Sequence, residues 1–361
     1  MKDYFQFSIF NYNHQPLKIT KPVRLIELFA GIGSQAKALE RLGVDFEHYR
    51  ICEFDKYAVA SYNAVHGTNF TTSDITKITA KDLGIVDTYK YLYMMTYSFP
   101  CQDLSLAGLG KGMQKGSGTR SGLLWEVERL LNECTELPQI LLMENVTQVH
   151  GTANEEHFNE WIAFLESKGY SNYWKDLNAK DFGVPQNRNR TFMVSVLGDY
   201  IYEFPQEFPL ELRLKDYLED SVDEKFYLSD KMINFFTENT KKQQEKGNGF
   251  KFKPTDGSGI GKAVTTRAGG RMDDNFIEKP QERFFKQALE TVNGEQITSN
   301  DNLSKLRIRK LTPKECWRLM GFDDADFEKA AIVNSNAQLY KQAGNSIVVD
   351  VLYYIFKKMY E

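Results

Sequence analysis

Apolar positions along this chain fall into short runs that alternate with stretches of helical spacing. Residues 24–29, 91–97 and 139–143 are compact apolar runs bounded by turn residues, the pattern of buried strands, and residues 48–53 read as a further strand that ends on an acid. Between them, residues 35–42, 55–64 and 123–131 carry apolar side chains at helical spacing. This alternation predicts an α/β fold with a doubly wound, mostly parallel sheet. Residues 157–168 form an amphipathic helix (Phe158, Trp161, Ile162, Leu165) stopped by Gly169, and residues 170–177 and 191–196 add two more strands. The regular pattern lapses over residues 197–306. It returns at Thr312-Pro313-Lys314-Glu315, which has the form of a capping box with proline at the first helical position. That helix is expected to end near Gly321, residues 342–346 form a turn, and residues 347–360 make a final apolar helix. Residues 1–22 mix polar and aromatic positions, as an extension packed on the first domain would.

Composition narrows this little. The chain has 361 residues, enough for one large and one smaller domain, and a net charge of −4 that argues no nucleic-acid partner by itself. Locally the balance shifts. Residues 199–238 hold eleven acids against four bases, whereas residues 241–271 hold eight bases against two acids together with seven glycines. The second stretch is a basic, flexible face suited to phosphates. Its cluster Thr265, Thr266 and Arg267 offers groups for base edges or backbone. Cys52, Cys101, Cys134 and Cys316 lie too far apart for a zinc knuckle or a disulfide framework, so free thiols in a reducing cytosol and no metal are expected. The first twenty residues hold no continuous apolar segment, and no run approaches the ~20 apolar residues of a membrane span. A soluble, cytoplasmic protein without a membrane partner is the expectation.

The candidate chemistry gathers at strand ends. Phe29-Ala30-Gly31-Ile32-Gly33 turns tightly from the first strand into a helix, the layout of a nucleotide or nucleoside site. Ala36 stands where a dinucleotide fingerprint has its third glycine, which favours an uncharged or zwitterionic ligand over a diphosphate. Glu53 ends the second strand, where an acid can take a ribose diol. Phe54 beside it either stacks on an adenine or fills the core. Asp74, followed by Ile75, either accepts from an adenine amino group or caps the next turn. Ser98-Phe99-Pro100-Cys101-Gln102 sets a cysteine just beyond a strand, a candidate nucleophile. The following loop, residues 103–122, carries six glycines with Lys111, Lys115 and Arg120, as a lid over a polyanion would. Glu144-Asn145-Val146 ends another strand. Gln186-Asn187-Arg188-Asn189-Arg190 puts two arginines on one face if extended. In a parallel sheet the carboxyl edge is the ligand crevice, and the glycine turn, Glu53, Asp74, Cys101 and Glu144 all fall there.

Taken in order, these segments resemble the bacterial and phage DNA (cytosine-5)-methyltransferases. The resemblance rests on Phe29-Ala-Gly-Ile-Gly33, Glu53, Asp74, Phe99-Pro-Cys-Gln102, Glu144-Asn-Val146, Gln186-Asn-Arg-Asn-Arg190, the block from Arg309 to Phe322, and Gly344-Asn-Ser346. It covers residues 24–196 and 307–361 and implies three parts: a catalytic domain over 1–196, a smaller inserted target recognition domain over 197–306, and a return to the catalytic domain over 307–361. Small departures are Ser34 and Ser98, where the family usually has glycine, and Phe54, where it often has tryptophan.

The resemblance implies S-adenosyl-L-methionine as cofactor, held by Phe29, Ala30, Gly31, Ile32, Gly33, Glu53, Phe54, Asp74, Ile75, Pro100, Asn345 and Ser346. It implies double-stranded DNA as substrate, contacted by Lys111, Arg120, Thr265, Thr266 and Arg267, and a monomeric enzyme. Cys101 would attack carbon 6 of a flipped-out cytosine, and Glu144 would contact ring nitrogen 3. Arg188 would bond the base's carbonyl oxygen, while Arg190 would orient Glu144 or a phosphate. A partner in a restriction–modification system, a phage's self-protection and a solitary role all suit the resemblance. Two rivals remain: an RNA cytosine-5 methyltransferase, disfavoured by the long basic insert, and a non-catalytic cofactor-binding DNA-binding protein, disfavoured by the presence of both Cys101 and Glu144.

Overall fold

The structure, a computed structural model, describes residues 15–100, 104, 112–116, 121–279 and 307–361. The chain divides into two compact units. The first comprises Met1–Asn178, Asn189–Glu207 and Val349–Glu361; the second comprises Ala179–Arg188 and Phe208–Val348. The second unit therefore differs from the inserted segment: it leaves residues 197–207 to the first unit and adds residues 179–188 and 307–348.

In the first unit, β1 (Gln15–Pro16) pairs in parallel with β9 (Tyr200–Ile201). The main sheet has six strands: β2 (Val23–Leu28), β3 (Phe46–Cys52), β4 (Leu92–Tyr97), β5 (Ile140–Asn145), β6 (Tyr170–Asn178) and β8 (Asn189–Leu197). Their order is β3-β2-β4-β5-β8-β6. The first four run parallel, and β8 runs antiparallel to both of its neighbours. Every residue of β4 and β5 is buried, which is why those runs lack polar alternation. The helices α1 (Ser34–Leu42), α2 (Lys56–His66), α3 (Ala80–Leu83), α4 (Leu124–Glu133), α5 (Glu155–Ser167) and α10 (Val349–Tyr360) complete this unit. Glycines in the left-handed region stop α1 at Gly43 and α2 at Gly67. The final helix packs on α1, where Arg41 Nη1 meets Asp350 Oδ1 at 3.2 Å.

The chain starts in the middle of this sheet, steps outward to β3, then crosses back to β4 on the other side of β2. Strand order thus reverses between β2 and β4, and the crevice of such a sheet opens at the carboxyl ends of those two strands. The glycine turn leaves β2 there, and Ser98-Phe99-Pro100 leaves β4 there. Residues 68–74 are irregular, so Asp74, expected at the carboxyl end of a strand, sits on a loop.

In the second unit, β7 (Gln186–Asn187) pairs with β10 (Gly261–Lys262), and β11 (Phe276–Lys279) pairs with β12 (Arg307–Lys310). This β11–β12 ladder ties residues 307–310 to the inserted segment. Phe236 of α6 (Asp230–Glu245), Phe252, Met272 and Phe276 form a small core. The helices α7 (Pro313–Arg318), α8 (Asp324–Val333) and α9 (Asn336–Asn345) follow. The expected capping box is present: Thr312 Oγ1 accepts from Glu315 N at 3.2 Å, and Glu315 Oε2 accepts from Thr312 N at 2.8 Å. Residues 342–345, expected as a turn, are instead the last turn of α9.

Candidate active site

The glycine turn is held by backbone geometry. Phe29 and Ala30 both donate to the carbonyl of Cys52, at 2.7 and 3.3 Å. This double bond to one acceptor sends Phe29 to φ 58, a conformation costly for a non-glycine residue and most often found at ligand sites. Gly31 (φ 57) and Gly33 (φ 80) take left-handed values at no such cost. Ala30 and Ile32 are buried beneath the turn.

Glu53 follows β3 and closes against that turn. Its Oε2 accepts from Gly31 N and its Oε1 from Asp55 N, both at 2.8 Å. Burial raises its carboxyl above the usual range, and the two N–H donors oppose that shift. Phe54 is 79% exposed, so the core-filling alternative is excluded and an apolar ring stands free beside Glu53. Asp74 caps the next turn through one carboxylate oxygen. Its Oδ1 accepts from Thr76 Oγ1 at 2.8 Å and Thr76 N at 3.0 Å, bonds that hold its carboxyl below the usual range. Ile75 next to it is buried in the main core.

Cys101 lies outside the described residues, as do Lys111 and Arg120. The backbone that leads to Cys101 is fixed from two sides. Asn145 Nδ2 donates to Phe99 O at 3.0 Å, and Ser121 Oγ donates to Pro100 O at 2.8 Å. The tip residue of β5 thus ties the Pro-Cys segment to the Glu-Asn-Val segment. Most of the expected lid also lies outside the described residues. Within 112–116, Met113 is fully buried and its carbonyl accepts from Trp125 Nε1 at 2.7 Å, so this portion is anchored to α4.

Glu144 is 7% exposed at the end of β5, on the strand beside β8. Arg190, the second residue of β8, reaches it with Nε at 3.2 Å from Oε1. Arg188 behaves differently from the expectation of an extended, shared face. Its N–H donates to Gln186 O at 2.9 Å, which turns the chain between β7 and β8. Its buried guanidinium donates to the carbonyls of Val264 (3.0 Å), Gly344 (3.0 Å) and Ser346 (2.8 Å), all in the second unit. Gln186 is a further residue whose role sequence motifs leave undefined. Its side chain accepts from Val264 N at 2.8 Å and donates to Leu319 O at 2.7 Å, so it stitches three segments of that unit together.

Thr265, Thr266 and Arg267 follow directly on Val264. Thr265 Oγ1 donates to Asp274 Oδ1 at 3.0 Å, while Thr266 and Arg267 are exposed. Asn345 is exposed and Ser346 is buried, both at the end of α9 in the same unit as the threonines. The three cysteines within the described residues are free thiols. Burial pushes Cys52 and Cys134 up to about 11 and Cys316 well above the ordinary thiol value, so none of them is a ready thiolate. Among the described residues, no helix is long and apolar enough to cross a membrane.

The fold and this strand-end constellation define an α/β methyltransferase. Solved structures agree on the fold. An Entamoeba histolytica methyltransferase, EhMeth, superposes with a TM-score of 0.71 at 18% identity, over 94% of this chain and 98% of that one. A DNMT2 variant from Spodoptera frugiperda gives 0.68 at 22% identity, over 94% and 99%. The chain belongs to the family of C-5 cytosine-specific DNA methylases, whose model matches residues 23–361. Similar relatives are the type II methyltransferase M2.ScrFI of Lactococcus lactis subsp. cremoris, 34% identical over 94% of this chain and 99% of its own length, and the orphan methyltransferase M.SssI of Spiroplasma monobiae, 32% identical over 94% and 98%. The protein is therefore a DNA (cytosine-5)-methyltransferase, and its family and fold imply use of S-adenosylmethionine.

Proposed function

We propose that the enzyme methylates carbon 5 of a cytosine flipped out of double-stranded DNA, through a covalent bond to Cys101. Support comes chiefly from the Glu144–Arg190 pair, which stands on neighbouring strands beside the tethered Phe99–Pro100 segment. Carbon 5 of cytosine is a weak nucleophile, and adding the Cys101 thiolate to carbon 6 makes the ring an enamine with electron density on carbon 5. Glu144, as the acid, gives a proton to ring nitrogen 3 as this density develops. The Arg190 guanidinium orients Glu144, and Arg188, whose Nη1 and Nη2 hold three main-chain carbonyls, bonds the base's carbonyl oxygen. Loss of the carbon-5 proton to water after methylation, with return of the nitrogen-3 proton to Glu144, reverses the addition and expels the thiolate.

The cofactor fits the residues present. The Glu53 carboxylate keeps acceptor capacity after taking Gly31 N and Asp55 N and suits a ribose diol, while the exposed Phe54 ring suits an adenine face. S-adenosylmethionine supplies an electrophilic methyl group on its sulfonium. The turn Phe29–Gly33 with Asp74, Ile75, Pro100, Asn345 and Ser346 completes the proposed cofactor set. The exposed Thr266 and Arg267, with Thr265, Lys111 and Arg120, are the proposed DNA contacts, and residues 197–306 the target recognition segment. The enzyme acts in the cytoplasm as a monomer.

The test is incubation with S-adenosylmethionine and duplex DNA containing 5-fluorocytosine, whose fluorine blocks the final elimination. A denaturation-stable adduct that disappears in Cys101→Ser is expected. An adduct on structured RNA but not on DNA would move the substrate to RNA, and none on either would refute covalent catalysis.

A further inference from the structure

Behind the glycine turn lies a cluster that the methyl-transfer reading does not use. Glu40 from the last turn of α1, His48 from β3 and His66 from the last residue of α2 bring one ligand atom each within 4.8 Å of the others. His66 Nδ1 lies 2.6 Å from Glu40 Oε1, and His48 Nε2 lies 3.6 Å from the same oxygen. The outer imidazole nitrogens face away from this centre, each onto an oxygen. His66 Nε2 is 3.0 Å from the carbonyl of Ile32, and His48 Nδ1 is 3.0 Å from the Tyr62 hydroxyl. Tyr62 spends its one proton on Glu27 Oε2 at 2.5 Å, so it accepts from His48. With its proton on Nδ1 for the Tyr62 oxygen, His48 turns its Nε2 lone pair toward Glu40. In the same way, a proton on His66 Nε2 for the Ile32 carbonyl leaves the Nδ1 lone pair facing the Glu40 carboxylate.

A carboxylate and two imidazole nitrogens thus converge on one point, where either a proton on His66 Nδ1 or a metal ion can bridge them. We propose that Glu40, His48 and His66 form a binding site for a divalent transition-metal ion, with zinc the expected occupant and a water as fourth ligand. The chemistry of the donor set fits: two imidazoles and one carboxylate are borderline donors of the kind zinc takes, and the outer oxygens on both rings are the supports that metal-bound histidines ordinarily have. With metal–ligand distances of about 2.0–2.1 Å, tetrahedral ligands stand about 3.3 Å apart, so Glu40 has to draw back from His66. Its side chain is 32% exposed at a helix end, whereas that of His66 is fully buried, so the carboxylate is the ligand free to adjust. Lys37 Nζ lies 3.6 Å from the other carboxylate oxygen, Oε2, and leaves the Oε1 side to the ion.

An ion here would join α1, β3 and α2 directly under the cofactor turn. The turn rides closely on the cluster, since a methyl group on Gly33 would fall 2.3 Å from His66 Nε2. The site was not legible from cysteine spacing, which prompted the expectation of no metal, because its ligands come from three separate elements.

Full-length protein stripped with EDTA is titrated with Co²⁺, whose visible d–d bands report tetrahedral nitrogen and oxygen ligation. One saturating equivalent, displaced by Zn²⁺ and accompanied by a rise in Tm, is expected. Affinity should fall by about 100-fold or more in His48→Ala and Glu40→Gln, both checked for native circular dichroism, and should persist in Cys101→Ser. Glu40→Gln, at the exposed ligand, guards against loss through misfolding. Absence of saturable binding at micromolar metal overturns the site. So does binding that survives both ligand variants, or that is lost in Cys101→Ser.

Discussion

Arg190 Nε stands 3.2 Å from Glu144 Oε1, while Arg188, two positions earlier, directs its guanidinium at the carbonyls of Val264, Gly344 and Ser346. The two arginines of one short motif therefore have separable duties. Arg190→Ala should lower kcat by about 10²–10³-fold with little change in Tm, because Glu144 loses the guanidinium that orients it. Arg188→Ala leaves three carbonyls, two of them buried, short of a donor and should cost about 3 kcal/mol of stability. Thermal unfolding alongside single-turnover methylation separates the two. Equal losses of stability in both variants would contradict the division.

Glu53 gives a pH dependence with opposite signs for binding and folding. Burial raises its carboxyl, so the folded state holds this proton more tightly than the unfolded chain does. Its contribution to stability is therefore present in acid and lost as pH rises through the raised value. Ribose hydroxyls need the ionised form, so affinity for S-adenosylmethionine should weaken as pH falls through that same value. Glu53→Gln should bind about tenfold more weakly at neutral pH and lose most of this dependence, since an amide can match only one of the Gly31 and Asp55 donors. Calorimetric titrations across pH 5–8 check both points; an unchanged slope in the variant would remove Glu53 from the site.

Gly344 reports on how the proposed DNA-contacting threonines are positioned. A Cβ there would lie 2.3 Å from Thr266 N and 2.4 Å from Thr265 C, backbone atoms that cannot swing aside. Gly344→Ala should cost about 2 kcal/mol through overpacking and weaken DNA binding more than cofactor binding. Fluorescence anisotropy with duplex DNA, set against cofactor calorimetry, measures that difference.

Legibility followed the range of the interactions. The capping box at Thr312–Glu315 and the glycine stop at Gly169 (φ 90) are local, and the sequence states them outright. The parallel strands were visible because β4 and β5 are buried on both faces and carry no polar alternation. The exposure of Phe54 and the capping role of Asp74 were each one of two readings, because solvent access and a hydroxyl two residues away decide between them. The separate duties of Arg188 and Arg190 were hidden, because a tight turn at Arg188 breaks the extended backbone the motif suggests. The compact unit that gathers residues 307–348 with the insert depends on β11–β12 pairing and on a buried ion pair, neither of which leaves a periodic signal.

That ion pair supports the last prediction. Arg309 and Glu315 have no exposed side-chain surface and meet through two bonds, Nη2 to Oε1 at 2.7 Å and Nη1 to Oε2 at 2.8 Å. Glu315 also accepts from Thr312 N and Glu219 N, both at 2.8 Å, so one carboxylate closes the helix cap and holds the chain near residue 219. Removing either partner strands the other charge out of water. Arg309→Met and Glu315→Leu should each cost about 3–5 kcal/mol, far beyond a surface pair. The double variant Arg309→Met/Glu315→Leu removes both charges and should recover part of the loss. It should not recover all of it, because the N–H groups of Thr312 and Glu219 would still lack their acceptor. Urea unfolding of the four proteins gives the coupling directly. Full recovery in the double variant would mean that the cap contributes nothing, and no recovery would mean that the charges were never the source of the cost.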